Sequence, residues 1–250
     1  MTNSKVIVVT GGTRGLGKVL ANAFLKEGWR VAVLSRHPPT ETAASAKCLF
    51  LEADVTHAQS LDNAADRIVH EWVKIDVWIN NAGLGKTTPF VGPRETGWSE
   101  IFNVNFWGVV NGCRAALRGM LNDKKGGAII NIASLAGLQA CPGHTAYSTA
   151  KAAVIALTRS LAVEYAARNI RVNAIAPGPM DTKGFRVAGG DPRKRSKSIP
   201  VGKMVAPQEI AEACLFLAKQ PISITGHCMV IDGGSAAVGC YANVKTQKKA

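Results

Sequence analysis

No two of the six cysteines (Cys48, Cys113, Cys141, Cys214, Cys228, Cys240) form a Cys-x-x-Cys pair, and no histidines pair at helical spacing. Metal frameworks are therefore not expected, and reduced, mostly buried thiols in a cytoplasmic protein are. No apolar run approaches the roughly 18 residues that a membrane-spanning helix needs. The first residues, Met-Thr-Asn-Ser-Lys, lead straight into Val6–Thr10 without a basic region or a cleavage site, so no signal peptide is expected. Acids are scarce: 17 Asp and Glu against 30 Lys and Arg leave a net charge of +13, which points to anionic partners. The basic residues do not interleave with aromatics and carry no helix-turn-helix, RNA-recognition or zinc-finger signature, which argues against nucleic acid. Phosphorylated cofactors, acidic carrier proteins and simple solubility are left to account for the charge. No linker, internal repeat or low-complexity segment divides the 250 residues, so one domain over 1–250 is expected, with a frayed basic tail at 244–250.

What is present is alternation. Val6–Val9, Trp29–Leu34, Cys48–Leu51, Ile75–Ile79, Ala128–Ala133, Ile170–Ile175 and Cys228–Ile231 are short apolar runs, as buried parallel strands should be. Between them lie segments with helical spacing, among them Leu16–Phe24, Leu61–Trp72, Trp98–Leu121, Tyr147 to about Arg168, and Pro207–Ala218. Strand–helix–strand repetition predicts a doubly wound α/β fold of about seven parallel strands with helices on both faces. Ligands of such sheets sit outside the carboxyl ends of the strands. The chemically distinctive residues fall there: Gly11–Gly17, Ser35-Arg36, Asp54-Val55, Asn80–Gly83, Ser134 and Pro177-Gly178.

Thr10-Gly11-Gly12-Thr13-Arg14-Gly15-Leu16-Gly17 joins the first strand to the first helix, the context of a dinucleotide-binding turn. Glycines let the backbone approach a pyrophosphate, and the helix N-terminus favours its charge. The second strand ends in Ser35-Arg36, with no acid between Glu27 and Glu41. A carboxylate there would select NAD by its ribose hydroxyl; a guanidinium, with Arg14 as a second clamp, selects NADP(H) by its 2′-phosphate. Asp54 is placed either to accept a bond from the adenine amino group or to cap its own turn.

Ser134 follows the fifth strand, and Tyr147 and Lys151 stand four apart on a helix, hence on one face. A cation beside a phenol favours the phenolate, which would lower the tyrosine's pKa and suit it to acid–base work. Three such side chains in one cleft could polarise a carbonyl and protonate it as a hydride arrives.

Taken together, Thr10-Gly-x-x-x-Gly-x-Gly17, Asp54-Val55, Asn80-Asn-Ala-Gly83, Asn105, Ser134, Tyr147-x-x-x-Lys151 and Pro177-Gly178 with Thr182 resemble the short-chain dehydrogenase/reductase family over nearly the whole chain. The resemblance implies a single-domain fold that forms homotetramers through its long helices and last strand. It implies Tyr147 as proton donor, Ser134 as the group bonding the substrate oxygen, and Lys151 as the holder of the nicotinamide ribose. Asn105 would anchor a water linking Lys151 to solvent; read from the residues alone, it is a local helix kink or a solvent contact. Asn81, Ala82 and Gly83 would line the adenosine ribose, and Met180 and Thr182 the carboxamide. Within the family the chain is most similar to the 3-oxoacyl-(acyl-carrier-protein) reductases, which implies a carrier-bound ketone and carrier docking at Lys125 and Arg168; both residues could equally be helix C-terminal cations. The other readings are a dehydrogenase of another secondary alcohol or polyketide-type ketone, and a catalytically silent nucleotide sensor or nucleic-acid binder.

Residues 183–203, where the resemblance puts a mobile substrate lid, depart from the pattern. Lys183, Arg186, Arg193, Lys194, Arg195, Lys197 and Lys203 face only Asp191. Gly184, Gly189, Gly190 and Pro192 argue against a helix, and Phe185, Val187 and Ile199 are the few apolar residues there.

Overall fold

The computed structural model describes residues 4–39, 46–88, 90–91, 97–123, 126–182, 185–186, 190–219 and 223–238. Lys125, Lys183, Val187 and the 244–250 tail lie outside them. Seven strands form one sheet: β1 (Val6–Thr10), β2 (Arg30–Ser35), β3 (Cys48–Glu52), β4 (Val77–Asn80), β5 (Gly127–Ile132), β6 (Ile170–Pro177) and β7 (Cys228–Ile231). Their order is β3-β2-β1-β4-β5-β6-β7, and every pairing is parallel. This is the expected Rossmann-like doubly wound sheet.

Successive residues of β1 explain its uninterrupted apolar run. Val6 and Val8 enter one core layer, while Ile7 and Val9 enter the other, so both faces of the strand are buried. Helices α2 (Ala58–Trp72), α4 (Gly108–Asp123) and α5 (Thr145–Tyr165) cover the first layer; α1 (Gly15–Lys26) and α7 (Pro207–Lys219) cover the second. A buried polar chain crosses the first layer: Trp78 Nε1 donates to Asn80 Oδ1, Asn80 to Asn131 Oδ1, and Asn131 to Thr158 Oγ1, at 2.9, 2.9 and 3.0 Å. It fixes α5 against β4 and β5, directly below the cleft.

Two local features differ from expectation. The helix predicted over Trp98–Leu121 is interrupted: α3 (Trp98–Phe102) widens into a π-helical turn at Asn103–Trp107 before α4 begins. The lid contains a short helix, α6 (Pro192–Ser196), despite its glycines. Pro192 sits in the first turn, where its missing N–H costs nothing, and the Asp191 carboxylate accepts from Arg193 N and Lys194 N. Among the described residues no helix is long and apolar enough to cross a membrane, and no cluster of His, Cys, Asp or Glu could hold a metal ion.

Candidate active site

The carboxyl ends of the strands surround one cleft of about 770 Å³. Its phosphate end is built by close packing. Gly11 and Gly15 hold positive φ angles of 65° and 53°, and a Cβ on Gly17 would lie 2.2 Å from Gly11 O. Thr10 Oγ1 accepts from Asn81 N and Ala82 N, and Asn81 Nδ2 donates to Thr10 O, so the β1 and β4 turns are held as one unit. Gly11, Thr13, Arg14, Gly15, Leu16 and Gly17 line the cleft, as do Ser35, Arg36, Asp54, Val55, Asn81, Ala82 and Gly83. Gly12 does not: it is buried, and a Cβ there would meet Val33 Cγ1 at 2.8 Å. A side chain there would strike β2, so Gly12 lets the turn pack on that strand.

Arg36 is exposed at the end of β2, and Thr13 Oγ1 donates to Ser35 Oγ at 3.1 Å. Asp54 caps its own turn, accepting from Thr56 N and Thr56 Oγ1 at 2.9 and 2.8 Å. Burial pushes its carboxyl up, but the Thr56 bonds and the nearby Arg36 outweigh that and hold it below the ordinary aspartate value. The two readings of Asp54 are thus compatible: it caps a turn and lines the cleft.

The other end gathers Asn105, Ser134, Tyr147, Lys151, Pro177, Gly178, Met180 and Thr182. Ser134 is extended at the end of β5, its Oγ accepting from Ala136 N. Tyr147 lies in the first turn of α5, and its ring packs on a small cluster with Leu84, Trp98, Phe102 and Phe106 around Ile101, Ala146 and Ala150. Lys151, 3% exposed, donates from Nζ to Ile132 O at 2.8 Å and stands 5.8 Å from the Tyr147 ring centre. Asn105 is wholly buried in the π turn; its Nδ2 donates to Leu84 O and Ile101 O, and its Oδ1 accepts from Leu84 N. A Cβ at Gly83 would lie 3.1 Å from Asn105 Oδ1 and 3.8 Å from Lys151 Nζ, so these two groups converge on one glycine. An unusual helical turn carrying such a residue is a recurrent mark of functional sites.

The expected lowering of the Tyr147 pKa is not met. Burial pushes the phenol above its ordinary value; the Ser134 hydroxyl, hydrogen-bonded to it, offsets this only in part. The ammonium of Lys151 bonds to a β5 carbonyl, and its own burial lowers it to about 8. The phenol therefore remains protonated at neutral pH, which fits a proton donor better than a base. Leu34, Ala53, Leu84, Gly85, Val104, Ile132 and Ala133 also line the cleft. Sequence reading missed them, although Leu34, Ala53, Leu84, Val104 and Ala133 each adjoin a residue already singled out, and Gly85 and Ile132 lie two positions from one.

Comparison with known proteins agrees with this geometry. A family model described as enoyl-(acyl carrier protein) reductase matches residues 11–236. The 3-oxoacyl-(acyl-carrier-protein) reductase FabG of Chlamydia trachomatis serovar D is 35% identical over 243 residues, covering 93% of this chain and 98% of its own. The ligand-free aldohexose dehydrogenase of Thermoplasma acidophilum superposes with a TM-score of 0.89 at 32% identity, over 96% of both chains. ElxO with NADP bound gives 0.87 at 31%, over 94% of this chain and 100% of that one. The chain belongs to the short-chain dehydrogenase/reductase family and is an oxidoreductase acting on CH–OH groups.

Proposed function

We propose that this protein uses NADPH to reduce a ketone to a secondary alcohol, that its substrate is a 3-oxoacyl thioester on acyl carrier protein, and that it works in the cytoplasm as a homotetramer. One observation carries the reading: Ser134, Tyr147 and Lys151 share one end of a cleft whose other end is a glycine turn flanked by Arg14 and Arg36. The residues fit NADP(H). The packed glycine turn leaves room for a pyrophosphate at the α1 N-terminus, where the first turn holds no acid. Arg36 and Arg14 are placed to bind a 2′-phosphate. When bound, the nicotinamide supplies the hydride.

The chain's own residues do the rest. Ser134 Oγ holds the ketone oxygen, and Tyr147 Oη gives it a proton, the phenol's raised pKa keeping that proton in place until negative charge develops on the oxygen. Lys151, with a value of about 8, exchanges protons readily near neutral pH, as a relay requires. Asn105 ties the β4 turn to the π turn and anchors the water that resupplies Lys151. Met180 and Thr182 close the nicotinamide end. The homotetramer is supported by exposed apolar side chains on elements that the resemblance implies at its interfaces: Trp107 and Val163 near and on the long helices, and Val230 on β7.

The aldohexose dehydrogenase likeness favours a second reading, oxidation or reduction of another alcohol–ketone pair by the same residues. An activity matrix separates the two: 3-oxoacyl thioesters, sugars and simple ketones, each with NADPH or NADH (NADP or NAD for oxidation). The proposal expects the highest kcat/KM with NADPH and a 3-oxoacyl thioester. Turnover of another ketone with none of any thioester would remove that substrate.

A further inference from the structure

The lid carries a dense group of unpaired charge on the rim of the cleft. The chain leaves the carboxyl end of β6 and returns where Val205 pairs with Met180 and Val205 N donates to Pro179 O at 3.0 Å. α6 lies on that excursion, and Met180 and Thr182 at its start line the cleft. Ile199, just beyond α6, is 1% exposed and packs beside Gly233, where a Cβ would meet its Cγ2 at 2.7 Å. Gly233 follows β7, so α6 is held at the carboxyl edge of the sheet, the edge where Tyr147 works.

Arg193, Lys194, Arg195 and Lys197 are all exposed, and among the described residues none has a carboxylate partner. Other cations nearby are paired: Arg186 makes a two-pronged bond to Asp181 at 2.7 and 2.6 Å, and Lys203 reaches Glu209 at 3.2 Å. Asp191 is turned to the α6 N–H groups. Four like charges within five residues repel one another, and an external anionic surface would relieve that repulsion. Arg168 offers no equivalent in the same chain. It ends the 3₁₀ turn after α5, next to the amino edge of β6, about 30 Å from Tyr147 at the rise of a helix.

We propose that Arg193, Lys194, Arg195 and Lys197 form the docking surface for an acidic carrier protein, which presents its thioester to Tyr147 from the lid side. This rests on the carrier-bound substrate proposed above. Such complementarity sets encounter rate and register more than tight affinity, so its signature is kinetic and salt-dependent.

The test presents one 3-oxoacyl group to the full-length protein in three forms, on acyl carrier protein, on coenzyme A and on N-acetylcysteamine. It compares the wild type with a variant in which the four cations become Glu and a milder one in which they become Ala. The expected result is a fall of at least tenfold in kcat/KM for the carrier-bound form, a flatter salt dependence, and N-acetylcysteamine turnover and NADPH affinity within twofold of wild type. The Ala variant should move in the same direction by less. Unchanged carrier kinetics in both variants would overturn the proposal, as would equal loss on all three forms, which marks a packing role for the lid. Equal loss on carrier and coenzyme A would show phosphate recognition instead, and loss in Arg168→Glu alone would place docking on another copy's face. If the wild type reduces other ketones but no carrier-bound one, the substrate reading falls and the docking surface with it; wild-type turnover of the carrier form with no variant effect removes the docking surface alone.

Discussion

Lys151 and Arg195 are cations on the same rim of the sheet, yet Lys151 is buried with its ammonium on Ile132 O, whereas Arg195 stands in solvent beside three more unpaired cations. The difference extends to their surroundings. Around Lys151, Asn105 and Asn131 are wholly buried, the first bonded to Leu84 and Ile101 backbone and the second to the side chains of Asn80 and Thr158, and Ala146 and Ala150 pack without exposure. Around Arg195 the described residues of the expected lid include the short helix α6, its capping Asp191 and the deeply buried Ile199. Proton transfer requires alignment within a fraction of an ångström, which only a packed wall supplies. Recognition of a large partner tolerates a looser surface and gains from unpaired charge. On the reading proposed above, chemistry and carrier recognition thus occupy different parts of the molecule and answer to different forces.

Replacing residues on the two sides should expose that division. Lys151→Met should lower turnover about 100-fold or more while stabilising the fold at neutral pH by about 3 kcal/mol at most, because it removes a buried amine whose value falls from 10.5 to about 8 on folding. The unfolded chain then binds the extra proton between those values, so wild-type stability gains from this residue as pH rises from about 8 to 10.5, and the variant should lose that gain in denaturant titrations. Arg36→Asp should move the NADPH-to-NADH ratio of kcat/KM about 100-fold toward NADH, since it replaces a charge-assisted bond by repulsion of the 2′-phosphate; an unmoved ratio would mean the phosphate is held elsewhere. Gly17→Ala, forced against Gly11 O, should weaken NADPH binding roughly tenfold and cost about 1–3 kcal/mol, measured by fluorescence titration and urea unfolding. Asp191→Ala removes the α6 cap, and the local cost of about 1 kcal/mol should leave the global Tm within a degree. A large drop in Tm would mean that the lid is part of the cooperative core.

Much of the packed side was legible in the chain. Uninterrupted β-branched runs such as Val6–Val9, alternating with helical segments, point to a parallel sheet buried on both faces, and the glycine turn, Ser134, Tyr147 and Lys151 follow from strand ends and helical spacing. What escaped depends on contacts between distant segments. Asn105 hints at a local kink, but the kind of turn at Asn103–Trp107 is not legible there, because Asn105 bonds to Leu84, 21 positions earlier. Gly12 looked like its neighbours until Val33 appeared beneath it. The direction of the Tyr147 shift is not legible in the sequence, because spacing shows that Lys151 is near but not that its ammonium is turned to Ile132 O, nor how deeply the phenol is desolvated. At residues 191–196, Asp191 as cap and Pro192 in the first turn outweigh the nearby glycines and start a helix.

The claim that Tyr147 delivers the proton is tested most directly by Tyr147→Phe, which keeps the ring in its cluster and removes only the hydroxyl. NADPH binding and ketone reduction should be measured side by side on the same preparation. The account predicts unchanged NADPH affinity with turnover lowered about 100-fold or more. Turnover close to wild type, with the cofactor still bound, would contradict it.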